Sequence, residues 1–284
     1  MSNLLAALAA LSIAGAGWAD SLPACQPLPG ADALWSRPGI RFILLGEIHG
    51  TTETPELFRD LVCAAAAAQR PVVVGLERAT REQAAIDAFL ARDNHAAATD
   101  ALLAENGWRI FDGRSSRAML KLLEALRLLK LNGRISAVVA FDDARRDESN
   151  AAREQRMASA LMAAAGRYAN ALVVALTGNL HASKKLIDGF GSYPFMAMLL
   201  PAAQTVSLLA ADSGGEAWTQ MENGCQPHKL RSTGGDRRGI ALSEKAAPLP
   251  GFDGTASTGL AATASPPAIA NAPPPPACST PAGG

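Results

Sequence analysis

The sequence predicts a single α/β domain: a mostly parallel central sheet flanked by helices, with a mixed or antiparallel C-terminal edge. Two observations carry this. Short apolar runs alternate with amphipathic stretches of helical length through the first two-thirds of the chain, the pattern of strand–helix–strand crossovers. Four apolar runs end in polar sets: Glu47/His49, Glu77/Arg78, Asp142/Asp143 and Asn179/His181. Parallel strands share one C-terminal edge, so the four sets fall on one rim, where sites of this architecture lie.

The first strand is Phe42-Ile43-Leu44-Leu45-Gly46, an apolar run that reads as buried. Glu47 and His49 follow at i, i+2, which puts both on one side of an extended chain. Thr54 as N-cap, Pro55 at the first helical position and Glu56 in the first turn start an Ala-rich helix over 54–69. A Val-rich strand over 71–75 ends in Leu76-Glu77-Arg78. Thr80 caps the next helix, with Gln83 at the capping-box position. A short helix over 94–104 and a loop over 106–117 come next. The helix over 116–131 carries Leu and Met on one face. A strand over 135–141, a helix over 148–165 and a fourth strand over 171–176 complete the alternation. A short helix and strands over 195–200, 204–209 and 217–221 follow His181, and these strands form the expected edge.

The two ends read differently from the middle. Residues 1–19 read as a signal peptide: the run 4–16 is small and apolar, too short for a comfortable span, and Gly17-Trp18-Ala19 suits a cleavage site. No Lys or Arg precedes the run, so a buried N-terminal helix is the alternative. Leu22-Pro23-Ala24-Cys25 imitates a lipobox imperfectly. The expected location is therefore exported and periplasmic, with lipid-anchored or secreted as alternatives and no transmembrane helix after signal removal. Residues 244–284 are almost all Ala, Pro, Gly, Ser and Thr, including Pro273 to Pro276, a composition read as a disordered tail. The domain is then 20–243. Lys+Arg and Asp+Glu are both 26, a net charge of zero, which argues against a nucleic-acid partner. The four cysteines lack any C-x-x-C spacing, which argues against a zinc ribbon or attached c-type haem. A Cys25–Cys63 disulfide is expected to tie the mature N-terminus to the first helix.

Function rests on the rim. A neutral imidazole can act as a general base, and a carboxylate beside it fixes its tautomer and raises its basicity. Two His with a carboxylate can instead hold a divalent metal, which makes His49, His181 and Glu47 candidate ligands. The bland alternatives are loop-capping histidines, strand-end acids paired with Arg41 or Arg78, and aspartates that cap a turn. Asp112-Gly113-Arg114-Ser115-Ser116-Arg117 precedes a helix start and can hold an anionic substrate group or be a plain capped start. Arg78, Arg114, Asn179 and Asp142 are the candidate substrate contacts. The charged run 142–156 reads as a solvated face with i, i+4 pairs. His95 and His228 read as surface residues. No G-x-S-x-G elbow is present, which argues against a serine hydrolase.

The stretches LLGEIHGTTETPELF, VVVGLER and LTGNLHA resemble the erythromycin esterase-like, ChaN-like and Tiki-like superfamily over about 41–210. The resemblance implies an α/β core with the site on the strand ends, and Glu47, His49, Glu77 and His181 as functional residues. Erythromycin esterases carry one more residue between Glu and His, and here position 179 is Asn, so the second motif adds no carboxylate. Three functions stay open. One is a hydrolase of a small-molecule or peptide ester or amide, with His-activated water, with or without a divalent metal. The second is haem binding, as the ChaN-like branch implies, with His or Tyr193 as iron ligand. The third is a non-catalytic binding protein of the same fold.

Overall fold

The computed structural model describes residues 25–91, 93–145, 147–221, 224–243, 245, 247–269 and 278. The expected signal peptide lies outside the described residues. The elements run α1 (Asp32–Trp35), β1 (Phe42–Glu47), α2 (Glu53–Ala67), β2 (Val72–Ala79), α3 (Gln83–Phe89), α4 (His95–Ala104), α5 (Arg117–Leu131), β3 (Ala137–Asp142), α6 (Asn150–Arg167), β4 (Leu172–Gly178), α7 (Asn179–Ala182), α8 (Met196–Leu199), β5 (Thr205–Ala211), β6 (Gly215–Met221), β7 (Gly224–Leu230), β8 (Gly239–Ala241) and β9 (Gly254–Ser257).

Seven strands form one sheet in the order β3-β2-β4-β1-β5-β9-β8. All its pairings are parallel except β8 with β9. β1 is central, and all six of its residues are buried. Apolar layers cover both faces, as a parallel sheet requires. Phe58, Leu61, Leu122 and Leu126 of α2 and α5 pack on one face. Met157 and Leu161 of α6, with Met196 of α8, pack on the other. β6 and β7 pair as a separate antiparallel hairpin. No helix among the described residues is long and apolar enough to cross a membrane.

Cys25 pairs with Cys63 of α2, as expected, and Cys225 of β7 pairs with Cys278. A sulfur held in a disulfide cannot carry a lipid thioether, so the lipobox alternative does not describe this form of Cys25.

Five local expectations change. The strands expected over 204–209 and 217–221 do not form the edge: β5 lies inside the sheet between β1 and β9, β6 pairs outside it, and the antiparallel edge is β8. The stretch 195–200 holds the short helix α8 in place of a strand. Gln83 does not complete a capping box. Its side chain donates to Val138 O and accepts from Ala140 N, pairing groups that edge strand β3 leaves open. The run 142–156 is more than a solvated face, because Arg153 and Glu154 turn inward. The largest change is the tail, because the composition of 244–284 hides a strand. β9 is buried at all four residues and sits between β5 and β8. Just ahead of it Phe252 is buried, and Asp253 accepts from Ser207 N and Lys184 Nζ. Small residues fit a strand covered on both faces, and a composition average does not register one Phe and one Asp in the right places.

Candidate functional site

The four parallel strands β3, β2, β4 and β1 bring their polar ends together, and Glu77 is the hub. It ends the regular part of β2 and is buried. Its Oε2 accepts from Thr177 Oγ1 and from Gly178 N, both at 2.7 Å, at the end of β4. Its Oε1 accepts from Arg114 Nη1 at 3.1 Å and Arg153 Nη2 at 3.3 Å. Two imidazoles face the same carboxylate. His49 Nε2 lies 3.5 Å from Oε2, and His181 Nε2 lies 3.7 Å from Oε1. Burial alone pushes the Glu77 carboxyl up. The imidazoles of His181 and His49, with Arg114, overcome that and hold it well below the usual carboxylate range.

Each histidine is anchored by its other nitrogen. His49 Nδ1 donates to Glu47 Oε1 at 2.8 Å, and His181 Nδ1 donates to Glu154 Oε1 at 2.7 Å. Glu154 also accepts from Met196 N at 2.7 Å, so α8 fixes the carboxylate that fixes His181. Burial works against a charge on His49. The Glu77 charge and the Glu47 bond outweigh it, and the imidazole is pulled up to about 10. His49 is therefore a cation at neutral pH. Burial pushes Glu47 up, and its Oε2 has no hydrogen-bond partner among the described residues.

Arg114 and Arg153 bridge Glu77 to Asp142. Arg153 donates to both Asp142 oxygens at 2.8 Å, and Arg114 Nη1 donates to Asp142 Oδ2 at 3.0 Å. Arg114 also donates to Asp112 through Nε and Nη2. A cleft of about 100 Å³ opens beside this network, lined in part by Glu77, Arg81, Ile110, Arg114 and Asp142.

Glu47, His49, Glu77, His181, Arg114 and Asp142 thus meet at one place. Arg78 does not join them. Strand alternation turns it away, and it is buried. It donates to Glu82 Oε2 and Arg114 O and lies 4.4 Å over the Trp108 ring, so it supports the Arg114 loop while lining part of the cleft. Asn179 opens α7, and its side chain makes no hydrogen bond to the cluster. Asp143 pairs with Arg145 and Arg156, away from Glu77. Ser116 does cap α5, accepting from Met119 N, as a plain capped start requires, and Arg114 is held by the protein carboxylates of Asp112, Glu77 and Asp142. Arg153, Glu154, Asp112 and Thr177 are additional members. The sequence signal for Arg153 and Glu154 was weak: a charged first turn of the helix that follows a rim strand.

The donors do not fit a metal. Among the described residues no group of three or more His, Cys, Asp and Glu side chains could hold an ion. Glu47 lies on the Nδ1 side of His49, away from the Nε2 that faces His181's side of the site. Both Glu77 oxygens already accept from protein donors, and Arg114 and Arg153 supply positive charge where an ion would sit. Haem fits no better. Both nitrogens of His181 face carboxylates, and Tyr193 packs edge-on against Phe195.

Solved structures share this architecture. An erythromycin esterase, EreC, in a mutant's open conformation, matches with a TM-score of 0.55 and 9% identity, over 70% of this chain and 78% of that one. At this identity the likeness is one of fold. A Bacillus cereus protein matches with a TM-score of 0.53 and 10% identity, over 71% of this chain and 73% of that one. A succinoglycan biosynthesis protein matches with a TM-score of 0.53 and 8% identity, over 71% and 74%. No protein-family model matches the chain, and no curated protein sequence matches it.

Proposed function

We propose that this protein is a metal-independent hydrolase of an ester or amide bond. One observation carries the proposal: two imidazoles, each backed by a carboxylate on Nδ1, turn their Nε2 atoms toward the two oxygens of Glu77. The fold likeness to an erythromycin esterase agrees with a hydrolytic reading and adds nothing on the substrate.

The two histidines divide the work. His181 Nδ1 faces Glu154, and in the neutral form of the ring the Nε2 lone pair takes a proton from water. The hydroxyl oxygen attacks the carbonyl carbon of the substrate. His49, cationic between Glu47 and Glu77, donates from Nε2 to the oxyanion that forms. Its contact of 3.5 Å with Glu77 is long enough for that N–H to switch partner. The proton on His181 then passes to the departing oxygen or nitrogen. Water is split between acyl group and leaving group, and both histidines return to their starting state. Arg114, Arg153 and Asp142 hold Glu77 in place and line the approach.

Two disulfides among the described residues support an oxidising compartment, and with the expected signal peptide we place the protein in the periplasm. The test of function is a panel of esters and peptides run with wild type, His181→Gln and His49→Gln. Hydrolysis that falls about 10²–10⁴-fold in each variant is expected for acid–base groups. Hydrolysis that both variants retain removes the mechanism.

A further inference from the structure

The segment after β9 does more than complete the sheet. Residues 260–269 cross the rim and hydrogen-bond to both loops that flank the site. On the loop that follows His49, Thr52 N donates to Thr263 O at 2.9 Å and Ser265 N donates to Gly50 O at 2.8 Å. On the loop that follows Arg114, Arg117 N donates to Pro266 O at 2.9 Å and Ala268 N donates to Ser115 O at 2.8 Å. Ser265 belongs to both sets, because its Oγ accepts from Ala118 N at 3.0 Å. It is buried, 3% exposed.

The two loops themselves touch with no room to spare. Gly113 has φ +94°, and a Cβ there would lie 2.5 Å from Gly50 N. Gly50 has φ +92°, and a Cβ there would lie 1.8 Å from Trp218 O. Gly50 O accepts from Trp218 N of the β6–β7 hairpin as well as from Ser265 N. A small shift of either loop therefore moves His49 relative to Arg114, and residues 260–269 oppose that shift.

We propose that residues 260–269 form a strap that sets the distance between the His49 and Arg114 loops, with Ser265 as its positioning residue. Ser265 touches no reacting group. It acts through Gly50 on one side and through the first turn of α5 on the other. The strap's effect on catalysis rests on the hydrolase reading, but its mechanical role does not.

The test uses the full chain and NMR. In wild type the Thr52 and Arg117 amides are expected to exchange slowly and at similar rates, as members of one opening unit. Ser265→Ala removes one side-chain hydrogen bond and should speed both about tenfold. Ser265→Pro removes the backbone donor as well and should also broaden the His49 Nδ1–H signal, while His95, paired with Glu124 farther along α5, keeps its own. Ser265→Thr keeps both donor and acceptor and should restore wild-type exchange. Fast exchange of Thr52 in wild type, or unchanged rates in Ser265→Ala, overturns the strap. If Ser265→Pro loses the His95 signal as well, the fold has been lost, and the Ser265→Ala rates decide. Absent hydrolysis with slow, coupled amides would count against the function and leave the strap standing.

Discussion

Replacing Glu77 by Gln keeps the shape and removes the charge at the centre of the site. Oε2 accepts from Thr177 and Gly178, and Oε1 accepts from Arg114 and Arg153. A Gln can satisfy only one of these sides. If its oxygen serves Thr177 and Gly178, its NH₂ points at two guanidinium groups. If it serves the guanidiniums, the NH₂ meets the Gly178 N–H. Either way buried donors lose their acceptor, and Arg114 and Arg153 lose the Glu77 charge while keeping Asp142. Breaking a buried ion pair on one side costs about 3–5 kcal/mol. With a urea m-value of roughly 2 kcal/mol/M, the unfolding midpoint should fall by about 2 M. The pH dependence is a second check. The folded pKa of Glu77 is depressed, so its contribution is present above the unfolded carboxylate value and is lost as pH falls through the folded one. The gap between wild type and variant should be full at pH 7 and narrow below about 4.5. A variant within about 1 kcal/mol of wild type at pH 7, or a gap that widens in acid, refutes the reasoning.

Other outcomes follow from the same structure. His49 is raised from 6.5 to about 10, so its contribution is full below pH 6.5 and is lost as pH rises through about 10. Wild type should lose stability over that window by up to about 5 kcal/mol, and His49→Gln should show little of that slope in urea titrations at each pH. Glu154→Gln should lower kcat about 10²–10⁴-fold with little change in KM, because it disturbs the tautomer of His181. Equal kcat would remove Glu154 from the account. Phe252→Ala should cost about 3–5 kcal/mol by thermal or urea unfolding; a neutral result would mean that β9 is not docked. Serine at both Cys25 and Cys63, which are 38 residues apart, should cost about 4 kcal/mol by loop entropy, read as a lower urea midpoint.

The parallel core was legible because its signal is local. Phe42 to Leu45, Val72 to Val74 and Val173 to Leu176 are runs that only a covered strand uses, and turns and caps punctuate them. The convergence of Glu47, His49, Glu77 and His181 was legible too, because parallel strands share an edge and the four lie at strand ends. What was hidden depends on distant partners. Glu154 matters because α8 and His181 reach it, and nothing in the charge pattern of α6 marks it. Arg78 reads like a rim residue next to Glu77, but pleating sends it to Glu82 and Trp108. The tail misled through composition. Gly254 to Ser257 carry no bulky side chain, and their burial comes from β5, β8 and the layers above them. Ser265 bridges two loops that lie well over a hundred residues away in sequence, a role that only the assembled rim reveals.

The central claim is that Glu47 and Glu77 hold His49 as a cation beside His181. Imidazole NMR titration of the full chain tests this most directly, since only four histidines are present. His49 should titrate at about 10, and its midpoint should drop in Glu77→Gln. A His49 midpoint near the ordinary 6.5, unmoved by that substitution, would contradict it.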